Sequence, residues 1–434
     1  MDKIRIGVIG FGTVGAGVVE TLLKNSALMA QRTGIELQLT RIADLDTTTD
    51  RGVKVPAGVL GPDAMALIHS DDVDVVVELV GGTTIAKKFV CEALKCGKPV
   101  VTANKALLAF CGKELFALAK ENNTEIYFEA SVGGGIPCIK ALREGLIANN
   151  ILEMYGILNG TCNYILTRME NEKADFAMVL EAAQKAGYAE ANPSTDVDGY
   201  DTANKAAILA SLAYGKMFSL DDVSVRGIRE VTLTDIEFAD QLGYRIKLLA
   251  TIRKAAGKLQ LCVRPSLVSK NSLLGSVSSV FNALWVKGDI VGSTMYYGRG
   301  AGRAATASAV VADLMDLALN RVHKCTRRVE PFPVYDEALQ LASQEEMQSR
   351  FYVRCQVLNK AGVLARIAGV FAGHGISIAS VRQHEEETAN GTVPMLLLTE
   401  NDPLAAMESA LNEIRQDSNV TQPPVCFAVE DLKD

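Results

Sequence analysis

A chain of 434 residues exceeds what one core organises, and about 150 residues per domain suggests roughly three domains. With 48% hydrophobic and 22% charged residues, the composition is neither disordered nor fibrous. A formal net charge of −7 argues against binding nucleic-acid phosphates or anionic membrane surfaces. No run approaches about 18 uninterrupted apolar residues, so no membrane span is expected. The opening residues, MDKIRIGVIGFG, carry no signal-peptide pattern, and a cytoplasmic location is expected. Nine scattered cysteines without a CxxC pair read as reduced thiols in cores. Cys91 and Cys96 are the closest pair, with no histidine near them in sequence, so zinc is not expected.

Residues 4–10 form a short apolar run, expected as a buried strand, and 13–30 follow with helical spacing. Residues 36–44 alternate as a second strand, and 73–80 make a Val/Leu strand. A helix over 84–96, a short strand over 98–101, a helix over 105–121 and a strand over 125–130 come next. This alternation predicts a parallel, doubly wound sheet with helices on both faces. The first domain is placed at 1–134, completed by an Ala/Val-rich helix at 304–320. From 135 to 303 the rhythm changes to helices at 172–186 and 201–214 beside strand-like residues 244–264, expected as an α+β substrate and oligomerisation domain. Residues 321–349, with Pro331 and Pro333, are the linker candidate. Residues 350–429 begin a new strand–helix–strand–strand–helix–strand cycle.

Gly10-Phe11-Gly12-Thr13-Val14-Gly15 is a GxGxxG turn between a predicted strand and a predicted helix. Such a turn lets a backbone approach a pyrophosphate, which the helix N-terminus then faces with unpaired N–H groups. Its setting makes it a dinucleotide site of Rossmann type rather than a structural turn. Asp44 ends the second strand, where a carboxylate accepts hydrogen bonds from both ribose hydroxyls and repels a 2′-phosphate. It also fits a loop-capping role, and Arg41 and Arg51 leave NADP open.

Moving a hydride from an alcohol needs a group that takes the hydroxyl proton. The four histidines fall in a predicted surface helix (His69), the linker candidate (His323) and the tail (His374, His384), none in the middle domain. The expected proton shuttle is therefore a lysine. Lys205 is the one cation in an otherwise apolar helix, a setting that lowers a lysine's pKa. It also reads as the ordinary i,i+4 partner of Asp201. Lys105 follows a strand of the parallel sheet at its carboxyl edge, and it reads equally as a solvated lysine opening a helix. Glu190, Asp196, Asp198 and Asp201 fall within 12 residues broken by Pro193 and Gly199, a loop suited to a cationic amino group. It lacks the EF-hand spacing.

Three further observations converge on one family. Ala183-x-x-x-Gly187-Tyr188-Ala189-x-x-Asn192-Pro193-x-x-Asp196-Val197-x-Gly199-x-Asp201-x-x-x-Lys205 resembles the homoserine dehydrogenase signature at every fixed position. The blocks VVTANK (100–105), EASVGGGIP (129–137) and GILNGTCN (156–163) resemble the family's other blocks, in order. The tail, through VLNKAGVL (357–364) and GISI (375–378), resembles an ACT domain, implying a ferredoxin-like fold.

The resemblance implies NAD(P)-dependent interconversion of L-homoserine and L-aspartate 4-semialdehyde, on the route to threonine and methionine. Lys205 would give a proton to the developing alkoxide, with Lys105 beside nicotinamide and substrate. Glu190 and Asp201 would hold the substrate, with Asp196 close by. Gly10, Gly12, Thr13, Val14, Gly15, Asp44, Thr102, Lys105, Gly187 and Gly302 would meet the cofactor. Glu129 and the carbonyls of Val132, Gly134 and Ile136 would match a monovalent-cation site, usually sodium. An amino-acid effector such as threonine at the ACT domain, and a homodimer or homotetramer, follow by analogy. Asn359 and Ser377 depart from the usual ACT residues, and Ala43 stands where NADP-preferring relatives often carry arginine. Removal of residues from about 345 onward is expected to leave the catalytic part working.

Overall fold

The apolar run at the N-terminus becomes strand β1 (Asp2–Ile9), and the glycine turn after it launches α1 (Thr13–Thr33). The computed structural model describes residues 2–325, 327–343, 345–383 and 391–432; the parts of the tail and linker expectations at 326, 344 and 384–390, His384 included, lie outside the described residues. The alternation continues through β2 (Ile35–Ala43), β3 (Leu60–Gly61), α2 (Ala64–His69), β4 (Val75–Glu78), α3 (Ile85–Lys95), β5 (Val100–Thr102), α4 (Lys105–Glu121) and β6 (Ile126–Tyr127). The strand expected over 125–130 is short, because Glu129–Ser131 turn as a 3-10 helix instead. A three-residue helix, α5 (Cys138–Lys140), closes this region.

By contact the chain divides into two units. One runs through Leu152 and takes in Asn204–Asp222 and Val280–Ala338; the other holds Glu153–Ala203, Val223–Ser279 and the chain from Leu339 on. Within the first unit the sheet is wholly parallel, in the order β3-β2-β1-β4-β5-β6, the doubly wound dinucleotide-binding order. Continuous apolar strands suit it, since both faces are covered: Val75, Val76 and Val77 are fully buried.

The middle of the chain supplies β7 (Ile151–Ile157), α6 (Gly160–Glu172), α7 (Phe176–Lys185), α8 (Ser194–Val197), α9 (Tyr200–Tyr214), β8 (Ser224–Val225), α10 (Leu233–Gln241), β9 (Tyr244–Ala255), β10 (Lys258–Ser269) and α11 (Leu273–Ser276). It returns to the first unit with the hairpin β11 (Phe281–Gly288) and β12 (Gly292–Arg299), then α12 (Arg303–Val322). Helix α12, foreseen over 304–320, packs on α1 and buries Ala307, Val310 and Leu314 in the core of the parallel sheet.

In the second unit β9 and β10 form a long antiparallel hairpin, with β7 on the outer edge of β9. The tail forms β13 (Gln348–Leu358), α13 (Val363–Gly373), β14 (Ile378–Gln383), β15 (Thr392–Thr399), β16 (Asp402–Pro403), α14 (Leu404–Arg415) and β17 (Val420–Glu430). Its antiparallel order β17-β13-β15-β14 is ferredoxin-like, over a core of Phe351, Val353, Ile367, Phe371, Leu397 and Ile414.

The tail is not a detachable appendage. β17 pairs in parallel with β10, so both belong to one sheet. On β13, Arg354 meets Asp235 of α10 at 2.6 Å, with side chains 7% and 0% exposed. Asp235 also closes the capping box of α10 with Thr232. Excision from 345 would strip the edge of β10 and leave Asp235 buried without its guanidinium, so truncation there would cost the second unit stability. The stretch 321–349 is likewise packed in places: Tyr335 and Asp336 donate N–H bonds to Gly215 in the first unit, and Leu341 bridges to Leu259 in the second.

Candidate active site

The strand order of the parallel sheet reverses between β1 and β4, the position at which open α/β sheets bind ligands. Gly10 has φ +97°, and a Cβ on Gly15 would lie 1.9 Å from the Gly10 carbonyl oxygen. Strand end and helix start thus touch main chain to main chain, which only glycine allows. A Cβ on Gly12 would meet nothing within 4 Å. Gly12 caps α1 without a side-chain hydrogen bond, an arrangement that suits the first N–H groups to the phosphates of a ligand. Thr13 is exposed, whereas Val14 packs against the core. A cavity of about 560 Å³ opens at this turn, lined by Gly10, Gly12, Asp44, Leu45, Leu79 and Val80. Asp44 accepts the N–H of Phe11 at 2.5 Å and of Asp46 at 2.9 Å, which fixes its carboxylate beside the turn. These features fit a nicotinamide dinucleotide. Of the two arginines weighed for a 2′-phosphate, Arg41 pairs with Asp72 and Arg51 with Asp46.

Deeper in the same unit, Glu78 ends β4 fully buried. It accepts N–H bonds from Val80 (2.9 Å) and Gly81 (3.1 Å) and the Thr102 hydroxyl (2.7 Å). Thr102 in turn accepts the N–H of Asn104 at 3.0 Å, and Asn104 caps α4, where Lys105 is the first residue. Sequence reading singled out Thr102 and Lys105 but missed Glu78. The available signal was a lone acid inside a Val/Leu strand, which burial forces to find several donors. Gly302, with φ +116°, opens α12.

Lys205 lies on α9 and is 8% exposed. Its charge reaches the Cys138 thiol, which burial nonetheless pushes far up. Cys162 donates its S–H to the Asp196 carbonyl at 3.2 Å in the second unit. A thiol held protonated by burial, as at Cys138, is not an activated nucleophile.

The expected cation residues surround the 3-10 turn of the first unit. Glu129 is 6% exposed, accepts the N–H of Ile139 (2.8 Å) and Lys140 (2.7 Å), and burial pushes its carboxyl up to about 7. Its own N–H donates to Asp313, whose carboxyl is raised by burial and by Glu129. Val132, Gly134 and Ile136 are buried; the Ile136 carbonyl accepts the Cys138 N–H at 2.8 Å. At Gly134, φ is +57° and a Cβ would lie 2.5 Å from the Gly300 carbonyl, so this turn too is closed main chain to main chain. Two adjacent buried carboxylates are an environment that a cation relieves, and the residues fit one.

In the second unit, Asn159 was not foreseen and organises the acidic loop. Its amide nitrogen donates to Asp196 at 2.7 Å and to Asp201 at 2.9 Å, while its oxygen accepts the Cys162 N–H and caps α6. Asp201 is 5% exposed. Asp196 and Asp201 therefore come together. Asp198 instead pairs with Arg229, and Glu190 and Gly187 lie on the exposed loop before α8. The clue to Asn159 was its block at 156–163, but nothing in that block says which carboxylates it meets. Among the described residues, one group could hold a metal through three side chains: His69, Glu92 and Cys96 on the surface of the first unit. The fold thus brings a histidine to Cys96 despite their distance in sequence, but its Nε2 is engaged by Glu92 at 2.9 Å.

A parallel sheet of this order with a glycine turn, joined in one chain to a ferredoxin-like tail, defines a dinucleotide-dependent oxidoreductase with an ACT domain. Family models match in the same places: the NAD-binding domain of homoserine dehydrogenase over residues 10–129, homoserine dehydrogenase over 137–315, and the ACT domain over 351–416. The homoserine dehydrogenase of Pseudomonas aeruginosa is 41% identical over 444 aligned positions, covering 100% of each chain. The crystal structure of a homoserine dehydrogenase from Thiobacillus denitrificans superposes with a TM-score of 0.93 at 38% identity, over 100% of this chain and 99% of that one. A hyperthermophilic archaeal homoserine dehydrogenase in complex with NADPH matches 73% of this chain and 98% of its own, with a TM-score of 0.63 and 29% identity. The chain belongs to the homoserine dehydrogenase family. It is an oxidoreductase of the NAD(P)-binding type, and no helix among the described residues is long and apolar enough to cross a membrane.

Proposed function

We propose that this chain interconverts L-homoserine and L-aspartate 4-semialdehyde, serving threonine and methionine synthesis in the cytoplasm. The observation that carries the chemistry is helix α9, which buries Asp201 in its first turn and Lys205 one turn later. In the oxidation direction the carbinol carbon of homoserine gives up a hydride and its hydroxyl gives up a proton, leaving the aldehyde. Bound nicotinamide supplies the hydride acceptor. Lys205 takes the hydroxyl proton and, in reverse, returns it to the developing alkoxide. Lys105, held at the head of α4, stands beside nicotinamide and substrate.

Asp201 and Glu190 grip the substrate's ammonium, with Asp196 next to them and Asn159 aligning the pair. Gly10, Gly12, Thr13, Val14, Gly15, Asp44, Thr102, Gly187 and Gly302 meet the dinucleotide. Ala43 and the fixed Asp44 carboxylate favour NAD or dual use over strict NADP preference. Glu129 with the carbonyls of Val132, Gly134 and Ile136 would hold a monovalent cation such as sodium, offsetting the buried carboxylates. The ACT domain takes an amino-acid effector, with threonine the first candidate, and the enzyme works as a homodimer or homotetramer without nucleic-acid partners.

The test is absorbance at 340 nm with L-homoserine and NAD⁺ or NADP⁺, with and without inorganic phosphate and L-threonine. Reduction that needs homoserine and ignores phosphate is expected. A phosphate requirement would point to acyl transfer through a cysteine instead.

A further inference from the structure

One edge of β10 is shared by two partners, each over a short stretch. β8 pairs with Cys262 and Val263, and β17 takes over from Ser266, so Arg264 and Pro265 fall in the gap between them. A cavity of about 460 Å³ opens at that gap, within the second unit. One face of α14 lines it at helical spacing, through Leu404, Met407, Glu408, Leu411 and Arg415.

Charge converges on this cavity. Arg226, Arg264 and Arg415 line it against Glu230 and Glu408, and Glu230 is already taken by Arg226. The Nε and Nη2 atoms of Arg264 are out of solvent contact and make no hydrogen bond among the described residues. Arg226 is fixed by its bond to the Cys426 carbonyl at 2.8 Å, and its field and that of Arg264 both reach the Cys426 thiol. A guanidinium nitrogen sequestered from water without an acceptor is costly, and turning the Arg264 side chain into the cavity lets an anion with two oxygens remove the cost by a forked pair of hydrogen bonds.

We propose that this cavity binds a small organic carboxylate, its oxygens on Arg264 and its aliphatic body against Met407 and Leu411. Two sources share that chemistry, a plain carboxylic acid and an amino acid, whose ammonium would meet Glu408 at the rim. The site involves none of the residues given catalytic roles, so it stands or falls independently of the catalytic reading.

The test is calorimetric titration of the full-length protein with 4-methylpentanoate, L-leucine, 4-methylpentanamide and inorganic phosphate. At least one of the two carboxylates should bind the wild type while the amide does not. Tighter binding of L-leucine, lost in Glu408→Gln, identifies the amino-acid form; equal or tighter binding of 4-methylpentanoate identifies the plain acid. Arg264→Gln should weaken the bound carboxylate about tenfold or more, the scale of a charged hydrogen bond, with kcat unchanged. If that variant does not fold, Leu411→Trp, which fills the cavity from α14, should abolish binding with every arginine kept. Failure of both carboxylates to bind, binding of phosphate alone, or undiminished binding in the variants would overturn the proposal.

Discussion

The glycine turn of the first unit and the acidic loop of the second are built in opposite ways. At residues 10–15 the working atoms of the proposed dinucleotide site are main-chain N–H groups, and the close approach of Gly10 and Gly15 leaves no room for a side chain at Gly15. At Asn159, Asp196 and Asp201 the working atoms of the proposed substrate site are side-chain oxygens, brought from three places and tied by one amide. A main-chain site fails when an atom is added. A side-chain site fails when a donor is taken away.

Adding atoms should have the largest effect. Gly15→Val puts carbon where the Gly10 carbonyl stands, a clash of roughly 1–3 kcal/mol that separates helix from strand. Dinucleotide affinity, measured by fluorescence titration, should fall roughly ten- to a hundredfold, with a lowered Tm. Undisturbed affinity would mean that the turn is not the phosphate site. Taking a donor away from the acidic loop is the matching test. Asn159→Ser keeps a cap for α6 but cannot bridge both aspartates, so KM for homoserine should rise about tenfold with dinucleotide affinity unchanged. A variant with wild-type KM would remove Asn159 from substrate binding.

Glu190 sharpens the contrast, because it is exposed whereas Asp201 is buried. Glu190→Ala should raise KM only several-fold, the scale of a solvent-screened charge, and leave kcat nearly intact. An unchanged KM would take Glu190 out of the substrate site.

The smallest effect concerns Lys247, whose ammonium is buried on the Val277 carbonyl (2.6 Å) and Asn163 (3.1 Å). Burial lowers its pKa from 10.5 to about 8. Below pH 8 the folded protein must hold this buried charge, while between 8 and 10.5 the unfolded chain binds more protons. Stability should therefore rise with pH across that window. Denaturant titrations of Lys247→Met should lose this increment, and a persisting slope would assign it to other groups.

The same opposition explains what was legible in the sequence. Glycine spacing announces a main-chain site because no other residue satisfies Gly10 and Gly15, and the apolar runs around it give the parallel sheet. Lys205, Asp196 and Asp201 were visible as a charged island before and within an apolar helix. Asn159 and Glu78 were not, since their meaning depends on which distant strand or loop they meet. The pairing that ties the tail to the middle of the chain was illegible for a related reason. β17 pairs with β10 through main-chain bonds between residues more than 150 positions apart, and no local pattern records such a pairing. The orphaned Arg264 belongs to the same class, an ordinary arginine in sequence and an unpaired donor only once two strands leave a gap around it.

Lys205→Ala, assayed for homoserine oxidation with and without added methylamine, tests the central claim most directly. The account predicts a loss in kcat of at least about 100-fold, the scale of general acid–base catalysis, with dinucleotide affinity kept and turnover partly restored as the amine concentration rises. Near-normal turnover without the amine would contradict it.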